Sequence, residues 1–572
     1  MWARSRLPGV RRWTTVAGLA VASLWLAGVP TAGRALAPVD VVEAGIPALS
    51  RALAARRTTS VALVDAYLAR IARFNPVLKA AMAINPEARA EAARLDRERA
   101  RGRVRSPLHG IPVAIKDNIQ VSGMPMTGGA LAFAGWPAPA DATLVANLRA
   151  AGAVILAKTT LTELANWVAE DMPNGYSAVG GFSLNPYDPR TDPRPGRTGF
   201  ALLDVGGSSS GVGTAASLWA ASVGTETSGS ILSPSTQTAL VGIKPTVGRI
   251  SRHGVIPITA DQDTPGPMAR TVMDAALLLG ALEGRAPDLA DPASARCAAL
   301  PAHDYTRALR RDALRGARIG VPRHPYFAPA GPVADAAVAS ALATLRRLGA
   351  EVIDPVDIPS VVDPDPERNL LSWPICAGAG RGRGRDAHCS VVLKYGMQRD
   401  FTAWLASLGP RAPIASLSAL RRWNREYADG GAARFGQAEL DISDEMDTTR
   451  DRARYEADRA RDLELTRTRG IDAALAAHRL TALVFPGARG ADLAARAGYP
   501  TVIVPMAFVP WAESDDVADP RVPFPPGFHP ADVPMGFSFT GTACSEPTLL
   551  GLAYAFEQAT HARRPPSLPS GN

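Results

Sequence analysis

Short apolar runs bounded by glycine and proline alternate with amphipathic segments along most of the chain. The amphipathic segments carry apolar residues at three- and four-residue spacing, which is typical of helices, as at 141–150 and 273–282. The runs have the length and composition of buried strands, as at 111–115, 154–157, 201–205 and 501–504. Strands that alternate with helices predict an α/β core.

One large domain is expected at 38–572. Residues 42–101 have the spacing of helices, and Ser60 is a candidate N-cap there. The segment at about 355–470 is charged and helix-like, and apolar runs resume from 480 to 558. Because core-like runs lie on both sides of the charged segment, we interpret that segment as a helical cap-like insert within a single domain.

The first 37 residues have a different character from the rest of the chain. Four arginines (4, 6, 11 and 12) precede an apolar stretch at 16–29, followed by small residues. This layout predicts a signal peptide at 1–37. The stretch is shorter than the roughly 20 apolar residues that a bilayer span requires, so we expect cleavage and a periplasmic or secreted protein without a stable membrane span. An uncleaved anchor is the alternative.

The charge pattern argues against a nucleic-acid partner. The chain has 62 basic and 54 acidic residues, for a net charge of +8. Its basic runs are not interleaved with aromatic residues and do not have zinc-finger spacing, so a solvated face is the simpler interpretation.

The four cysteines, Cys297, Cys376, Cys389 and Cys544, allow three pairings in an oxidising compartment. Cys376 and Cys389 flank a Gly/Arg-rich loop that a disulfide would close, although buried free thiols are an equal alternative. The chain has no CxxC or HExxH spacing, and we predict no metal or cofactor.

The segment most suggestive of chemistry contains two serine- and glycine-rich turns, at 206–211 and 224–231, separated by an alanine-rich helix. Such turns leave backbone N–H groups free to form an oxyanion hole or a phosphate cradle. Neither GxxxxGK[ST] nor GxGxxG occurs in this stretch, which disfavours nucleotide binding.

One interpretation of these turns is a nucleophile elbow. Residues 207–211 fit G-x-S-x-G, with the apolar run 201–205 as the preceding strand and Ser209 as the nucleophile. The protein would then be a Ser-His-Asp esterase. The histidines available downstream, none singled out by its context, are His253, His303, His324, His388, His478, His529 and His561.

Lys116 ends the apolar run 111–115, and Asp117 and Asn118 follow it. Burial of an ammonium group is costly and lowers its pKa, so a lysine in this position can act as a neutral base. The alternative is a lysine that emerges at the strand end and pairs with Asp117.

These features together resemble the amidase signature family. The resemblance rests on the Lys116 strand, the 206–231 serine block and its continuation at 241–252, and on the blocks at 263–274, 498–505 and 534–541. It covers about residues 40–565, with several long motifs in the family's order. It implies an α/β fold with a central mixed β-sheet covered by helices on both faces.

The resemblance also implies a Ser-Ser-Lys triad. Ser230 would be the nucleophile, Lys116 the base, and Ser208, in a cis peptide, the bridge that carries the proton between them. Ser208 and Ser230 are 22 positions apart, two fewer than the family's usual spacing, so Ser209 stays an alternative bridge. The oxyanion donors would be backbone N–H groups of Thr227, Ser228, Gly229 and Ser230.

The implied activity is hydrolysis of an amide bond through an acyl-enzyme at Ser230, on a small-molecule or peptide amide. Such an enzyme needs a nucleophile without its proton, donors for the oxyanion and an acid for the leaving amine. A base with the lowered pKa of a buried Lys116 predicts an alkaline activity optimum. Further alternatives are a catalytically idle binding protein and a tRNA-dependent amidotransferase component, and export would separate the second from tRNA.

Overall fold

An eleven-stranded mixed sheet forms the centre of the protein. The computed structural model describes residues 39–208, 210–514 and 522–568, apart from the side chain of Arg411. The strands are β1 (Ala81–Ile84), β2 (Pro112–Lys116), β3 (Val154–Thr159), β4 (Tyr176–Ser177), β5 (Gly181–Phe182), β6 (Ala221–Glu226), β7 (Val241–Lys244), β8 (Thr264–Ala269), β9 (Arg318–Gly320), β10 (Glu351–Ile353), β11 (Ala482–Pro486), β12 (Thr501–Val509) and β13 (Val533–Thr540). Their order in the sheet is β1-β3-β2-β6-β8-β7-β12-β13-β11-β9-β10, and β4 pairs with β5 separately.

The sheet combines parallel and antiparallel pairs. Strand β2 pairs in parallel with both β3 and β6, and β9 pairs in parallel with both β10 and β11. The other pairs are antiparallel. Strands β2, β3, β6, β7 and β8 are buried at every position, which requires cover on both faces of the sheet. The predicted α/β fold with a mixed central sheet is confirmed.

Helices supply that cover and most of the connections. The α-helices of the described residues are α1 (Ile46–Ala54), α2 (Ser60–Leu78), α3 (Ala88–Ala100), α4 (Thr143–Ala151), α5 (Ser210–Ala215), α6 (Leu232–Gln237), α7 (Val272–Leu282), α8 (Arg323–Tyr326), α9 (Pro332–Arg347), α10 (Pro359–Val362), α11 (Val392–Gly396), α12 (Thr402–Ser407), α13 (Leu417–Glu426), α14 (Ala438–Asp444), α15 (Arg452–Leu463), α16 (Asp472–His478), α17 (Ala491–Ala497) and α18 (Glu546–Thr560). Two π-helical turns, Met397–Phe401 and Glu464–Ile471, continue α11 and α15.

Two local predictions are wrong. The segment 42–101 is not entirely helical, because β1 lies between α2 and α3 and pairs with β3 at the edge of the sheet. The N-cap of α2 is Thr59 rather than Ser60, since the Thr59 side chain accepts the Ala62 N–H.

The run 201–205 is not a strand and makes only an isolated bridge between Ala201 and Thr191. Asp204 Oδ1 accepts the N–H groups of Val205, at 2.6 Å, and Gly206, at 3.0 Å. A turn held by a side chain therefore replaces the strand that a nucleophile elbow requires.

The segment 355–470 is helical, with no strand among its described residues. Its apolar side chains join a core with residues from the β2–β5 region: Phe401 packs edge-on against Phe133, and Trp167 Nε1 donates to Ser443 Oγ at 2.9 Å. The insert is thus tied to the loops that follow the central strands.

Two disulfides, Cys297–Cys544 and Cys376–Cys389, account for all four cysteines. The second closes the Gly/Arg-rich loop. Within the described residues, no helix has the length and apolar character that a membrane crossing requires. These residues belong to one compact unit, Pro38–Asn572. The predicted signal peptide at 1–37 lies outside the described residues.

Candidate active site

Lys116 lies at the end of β2, beside the end of the parallel strand β6. Its side chain is fully buried, and Nζ donates to the carbonyl oxygen of Thr225 at 3.1 Å. Burial lowers the pKa of Lys116 to about 7, against the opposing effect of the Asp263 and Glu226 carboxylates. A large fraction of Lys116 is therefore uncharged near neutral pH, as a base at this position requires.

Asp117 does not pair with Lys116. Its Oδ1 lies 3.0 Å from Nζ of Lys158, and its Oδ2 accepts from the N–H and hydroxyl of Thr127. Successive side chains of an extended backbone point to opposite sides, which explains why the two neighbours reach different partners. The alternative of a Lys116–Asp117 ion pair is wrong.

Ser208 shares its acceptor with Lys116. The Ser208 hydroxyl is buried and donates to the carbonyl oxygen of Thr225 at 3.2 Å. Both donors therefore surround one main-chain oxygen at the end of β6. This arrangement brings the predicted bridge and the predicted base together.

Ser230 lies on the second serine turn, where it is partly exposed. Gly207 packs against it so closely that a Cβ at position 207 would overlap Ser230 Oγ and approach its Cβ to 3.0 Å. Within the described part of the chain, the Ser230 hydroxyl makes no hydrogen bond. The two serine turns thus meet where Gly207 contacts Ser230. Gly207 directly precedes Ser208 in the sequence.

The cis peptide expected at Ser208 is not at its bond with Gly207, because the two cis bonds of the described residues precede Pro325 and Pro355. The bond from Ser208 to residue 209 lies outside the described residues. Ser209, the alternative bridge and nucleophile, lies outside the described residues.

The turn 227–230, which we call the oxyanion turn, carries the predicted donors. Gly229 has a φ of +90°, which favours glycine, and this bends the chain between Ser228 and Ser230. The N–H groups of Thr227, Ser228 and Ser230 donate no hydrogen bond within the residues that the structure describes. Unpaired N–H groups are what an oxyanion site requires.

Glu226 was missed by the sequence analysis. It is buried, and its Oε2 accepts the N–H groups of Ile231 at 2.7 Å and Leu232 at 2.9 Å. Burial raises the pKa of Glu226, against the charge of Lys244. This carboxyl group thus holds the two residues that follow Ser230. The sequence signal that could have identified Glu226 is an acidic residue within a turn of glycine, serine and threonine.

Asp263 and Gln262 were missed as well, and both contact Thr227. Asp263 Oδ1 accepts the Thr227 hydroxyl at 2.5 Å, and Gln262 Nε2 donates to the Thr227 carbonyl at 3.1 Å. Asn118 Nδ2 donates to Thr225 Oγ1 at 3.0 Å. Because these contacts join residues far apart in sequence, no local pattern pointed to them.

The histidines that an esterase would require are not hydrogen-bonded to the serine turns. Within the described residues none of the seven candidates makes a hydrogen bond to residues 206–231. His253 contacts Thr143, and His303 contacts Glu283. The geometry thus does not support a Ser-His-Asp centre near the serine turns.

The mixed sheet places the protein in the α/β class, and the buried lysine and the serine turns lie together at the strand ends. A family model described as Amidase matches residues 62–368. The chain belongs to this amidase family, also called the amidase signature family, and it is an amidase.

Two relatives cover almost the whole chain, and a third covers about half of it. The sequence is 33% identical to a protein of Arabidopsis thaliana named as a probable amidase, with 92% of each chain covered. The native peptide amidase from Stenotrophomonas maltophilia has 38% sequence identity and a TM-score of 0.78, with 92% of this chain and 99% of that chain covered. One component of the glutamyl-tRNA(Gln) amidotransferase of Chloroflexus aggregans is 39% identical over 54% of this chain and 59% of its own length.

Proposed function

We propose that Lys116, Ser208 and Ser230 form a proton relay that hydrolyses amides through an acyl-enzyme on Ser230. The observation that carries the proposal is the Thr225 carbonyl oxygen, which accepts from both Lys116 Nζ and Ser208 Oγ at 3.1 and 3.2 Å. This oxygen holds Nζ of Lys116 and Oγ of Ser208 side by side. Gly207, the residue before Ser208, packs against Ser230.

Acylation begins with neutral Lys116. Its Nζ takes the proton of the Ser208 hydroxyl while Ser208 Oγ takes the proton of Ser230, and Ser230 Oγ attacks the carbonyl carbon of the amide. The carbonyl oxygen becomes an oxyanion that accepts from N–H groups of the oxyanion turn. When the C–N bond breaks, the proton held by Lys116 returns through Ser208 to the leaving nitrogen.

Deacylation repeats these steps with water in place of Ser230 as nucleophile. The relay takes one proton from the water, whose oxygen attacks the acyl carbon, and the proton returns to Ser230 Oγ as the ester bond breaks. The products are a carboxylic acid and ammonia or an amine. No step uses a metal or a cofactor.

For the substrate we propose a small or peptide amide, with C-terminal peptide amides first in order. The support is the likeness to the peptide amidase, which extends over 99% of that enzyme's chain. We also propose export through the signal peptide at 1–37. Two disulfides support an oxidising compartment. Export would separate the enzyme from the aminoacyl-tRNA partners of an amidotransferase.

The relay is tested by activity of the purified mature protein on a panel of peptide amides, aryl amides and esters, with Lys116→Ala and Ser230→Ala as variants. Each variant is expected to lose at least about 10³-fold in kcat, because members of a catalytic unit act together. A fluorophosphonate is expected to label Ser230 in the unmodified enzyme and not in Ser230→Ala. Full amidase activity of Lys116→Ala would overturn the proposal, and labelling of Ser209 with loss of activity in a histidine variant would favour the esterase.

A further inference from the structure

Residues 258–263, which we call the connector loop, precede β8 and lie beside the oxyanion turn. At its end Asp263 is buried, and its Oδ1 accepts from the Thr227 hydroxyl at 2.5 Å. Gln262 Nε2 donates to the Thr227 carbonyl at 3.1 Å. The loop therefore holds Thr227, the first residue of the oxyanion turn, by both its side chain and its main chain.

Asp263 also determines the shape of the connector loop. Its Oδ2 accepts the N–H groups of Ile258 at 2.9 Å and Thr259 at 3.0 Å, so one carboxyl group closes the loop on itself and reaches Thr227. A displacement of the loop thus moves the Asp263 carboxyl group and, with it, the partner of the Thr227 hydroxyl.

The other side of the loop is held by the helical insert through Asp261. Tyr455 donates its hydroxyl to Asp261 Oδ2 at 2.8 Å, and Arg399 Nη2 donates to the same oxygen at 3.2 Å. Arg459 Nε lies 3.3 Å from Asp261 Oδ1, and its Nη2 donates to the Asp261 carbonyl at 3.2 Å. These three donors all belong to the insert.

Neighbouring residues of the loop also contact the insert. The Ala260 N–H donates to Asp400 Oδ2 at 2.7 Å. The backbone of Gly396, at the end of α11, packs so closely on Thr259 that a Cβ at position 396 would overlap the threonine side chain. Three consecutive residues of the loop are thus in contact with the insert.

The Asp261 carboxylate cannot leave this contact without a substantial penalty. Its side chain is 17% exposed, and two guanidinium groups and a phenol surround it. Charge-assisted hydrogen bonds of this kind are roughly twice as strong as neutral ones, and a mostly buried charge that loses its partners is destabilised. The position of the loop therefore depends on the position of the insert.

We propose that the connector loop transmits the position of the insert to the oxyanion turn, with Asp261 and Asp263 as positioning residues for the reaction. Tyr455, Arg399 and Arg459 act on the turn through Asp261, and Asp263 completes the connection to Thr227. The proposal rests on the proposed role of the turn as the oxyanion site. It assigns the insert a part in the chemical step in addition to its part in packing.

The stacked rings of Tyr455 and Tyr395 offer a matched pair of variants. Their centroids are 4.3 Å apart and their planes differ by 9°. The Tyr395 hydroxyl donates to the Thr448 carbonyl at 2.7 Å, inside the insert. Tyr455→Phe and Tyr395→Phe each remove one hydroxyl from the same stack, but only the first removes a contact with the loop.

We expect Tyr455→Phe to lower kcat about three- to tenfold with KM changed less than about twofold, because an oxyanion contact acts in the transition state rather than in substrate binding. Tyr395→Phe is expected to stay within about twofold of the parent in both constants. The rate of fluorophosphonate labelling of Ser230, a second measurement, is expected to fall with kcat in Tyr455→Phe. The thermal midpoints of both variants are measured as a check on folding. Equal changes of kcat in two variants with similar midpoints would overturn the proposal.

A double-mutant cycle tests the route through Thr227. In a Thr227→Val background, which lacks the hydroxyl that Asp263 accepts, Tyr455→Phe is expected to lower the labelling rate less than about twofold. If Tyr455→Phe lowers the labelling rate by the same factor in both backgrounds, the proposed connection is contradicted. Full activity of Ser230→Ala would overturn the proposed function itself, whereas failure of the tyrosine pair in an enzyme that Ser230→Ala inactivates would overturn only this inference.

Discussion

The ammonium of Lys158 lies 3.0 Å from Oδ1 of Asp117, and both side chains are buried. Removal of one partner from a buried ion pair leaves an uncompensated charge, at about 3–5 kcal/mol. We expect Asp117→Asn to lower the free energy of unfolding by about 3 kcal/mol in a urea titration. The exposed pair of Asp65 with Arg89 provides the control, since Asp65→Asn should change the same quantity by less than about 1 kcal/mol. Equal losses in the two variants would contradict this prediction.

The pH dependence of kcat/KM follows from the buried base. Burial lowers the pKa of Lys116 to about 7, and only the neutral amine can take a proton from Ser208. The rate is therefore expected to rise through about pH 7 and to level off on the alkaline side. Burial raises the pKa of the nearby Asp263 to about 7 as well, so the observed midpoint belongs to the coupled pair. A constant kcat/KM from about pH 5.5 to pH 9 would argue against Lys116 as the base.

Lys116 is also expected to lower the stability of the fold. Its pKa is lower in the folded protein than the ordinary 10.5, so the unfolded chain binds the proton more tightly between about pH 7 and 10.5, and stability rises with pH across this window. Lys116→Met should raise the free energy of unfolding by about 2 kcal/mol at pH 7 while abolishing activity. The gain should shrink in urea titrations at higher pH. If the stability gain of Lys116→Met grew with pH, the lowered pKa of Lys116 could not be its cause.

Gly207 tests the contact between the serine turns. A methyl group at this position would overlap Ser230 Oγ. Gly207→Ala is expected to lower kcat at least about 100-fold, because small displacements of a nucleophile are costly in rate. Gly380→Ala is a suitable control, since no heavy atom lies within 4 Å of a Cβ placed there. Parent-like activity of Gly207→Ala would mean that Ser230 tolerates displacement.

Glu226 offers a comparison between a conservative and a drastic change. Glu226→Gln keeps an oxygen for the N–H groups of Ile231 and Leu232, whereas Glu226→Ala leaves both unpaired in a buried site. Two unpaired buried donors are expected to lower the free energy of unfolding by about 2–4 kcal/mol. Urea titrations should place Glu226→Gln close to the parent and Glu226→Ala well below it. Similar values for the two variants would show that the carboxyl group does not hold these donors.

Residues whose surroundings are local could be predicted from the sequence. Lys116 could be predicted because it ends an apolar strand, and the lowered pKa follows from the burial of that strand. The run 201–205 was wrongly predicted to be a strand, because the Asp204 side chain competes for the backbone N–H groups that a strand would use. Asp263 could not be found either, since its contact with Thr227 depends on the antiparallel pairing of β6 with β8.

The acceptor shared by Lys116 and Ser208 is a main-chain oxygen of Thr225. A substitution at position 225 changes a side chain and leaves that oxygen in place, so random mutagenesis can delete either donor but not the atom that aligns them. The acceptor is thus present whatever residue stands at position 225, and a substitution there acts on the alignment only through its effect on the backbone of β6.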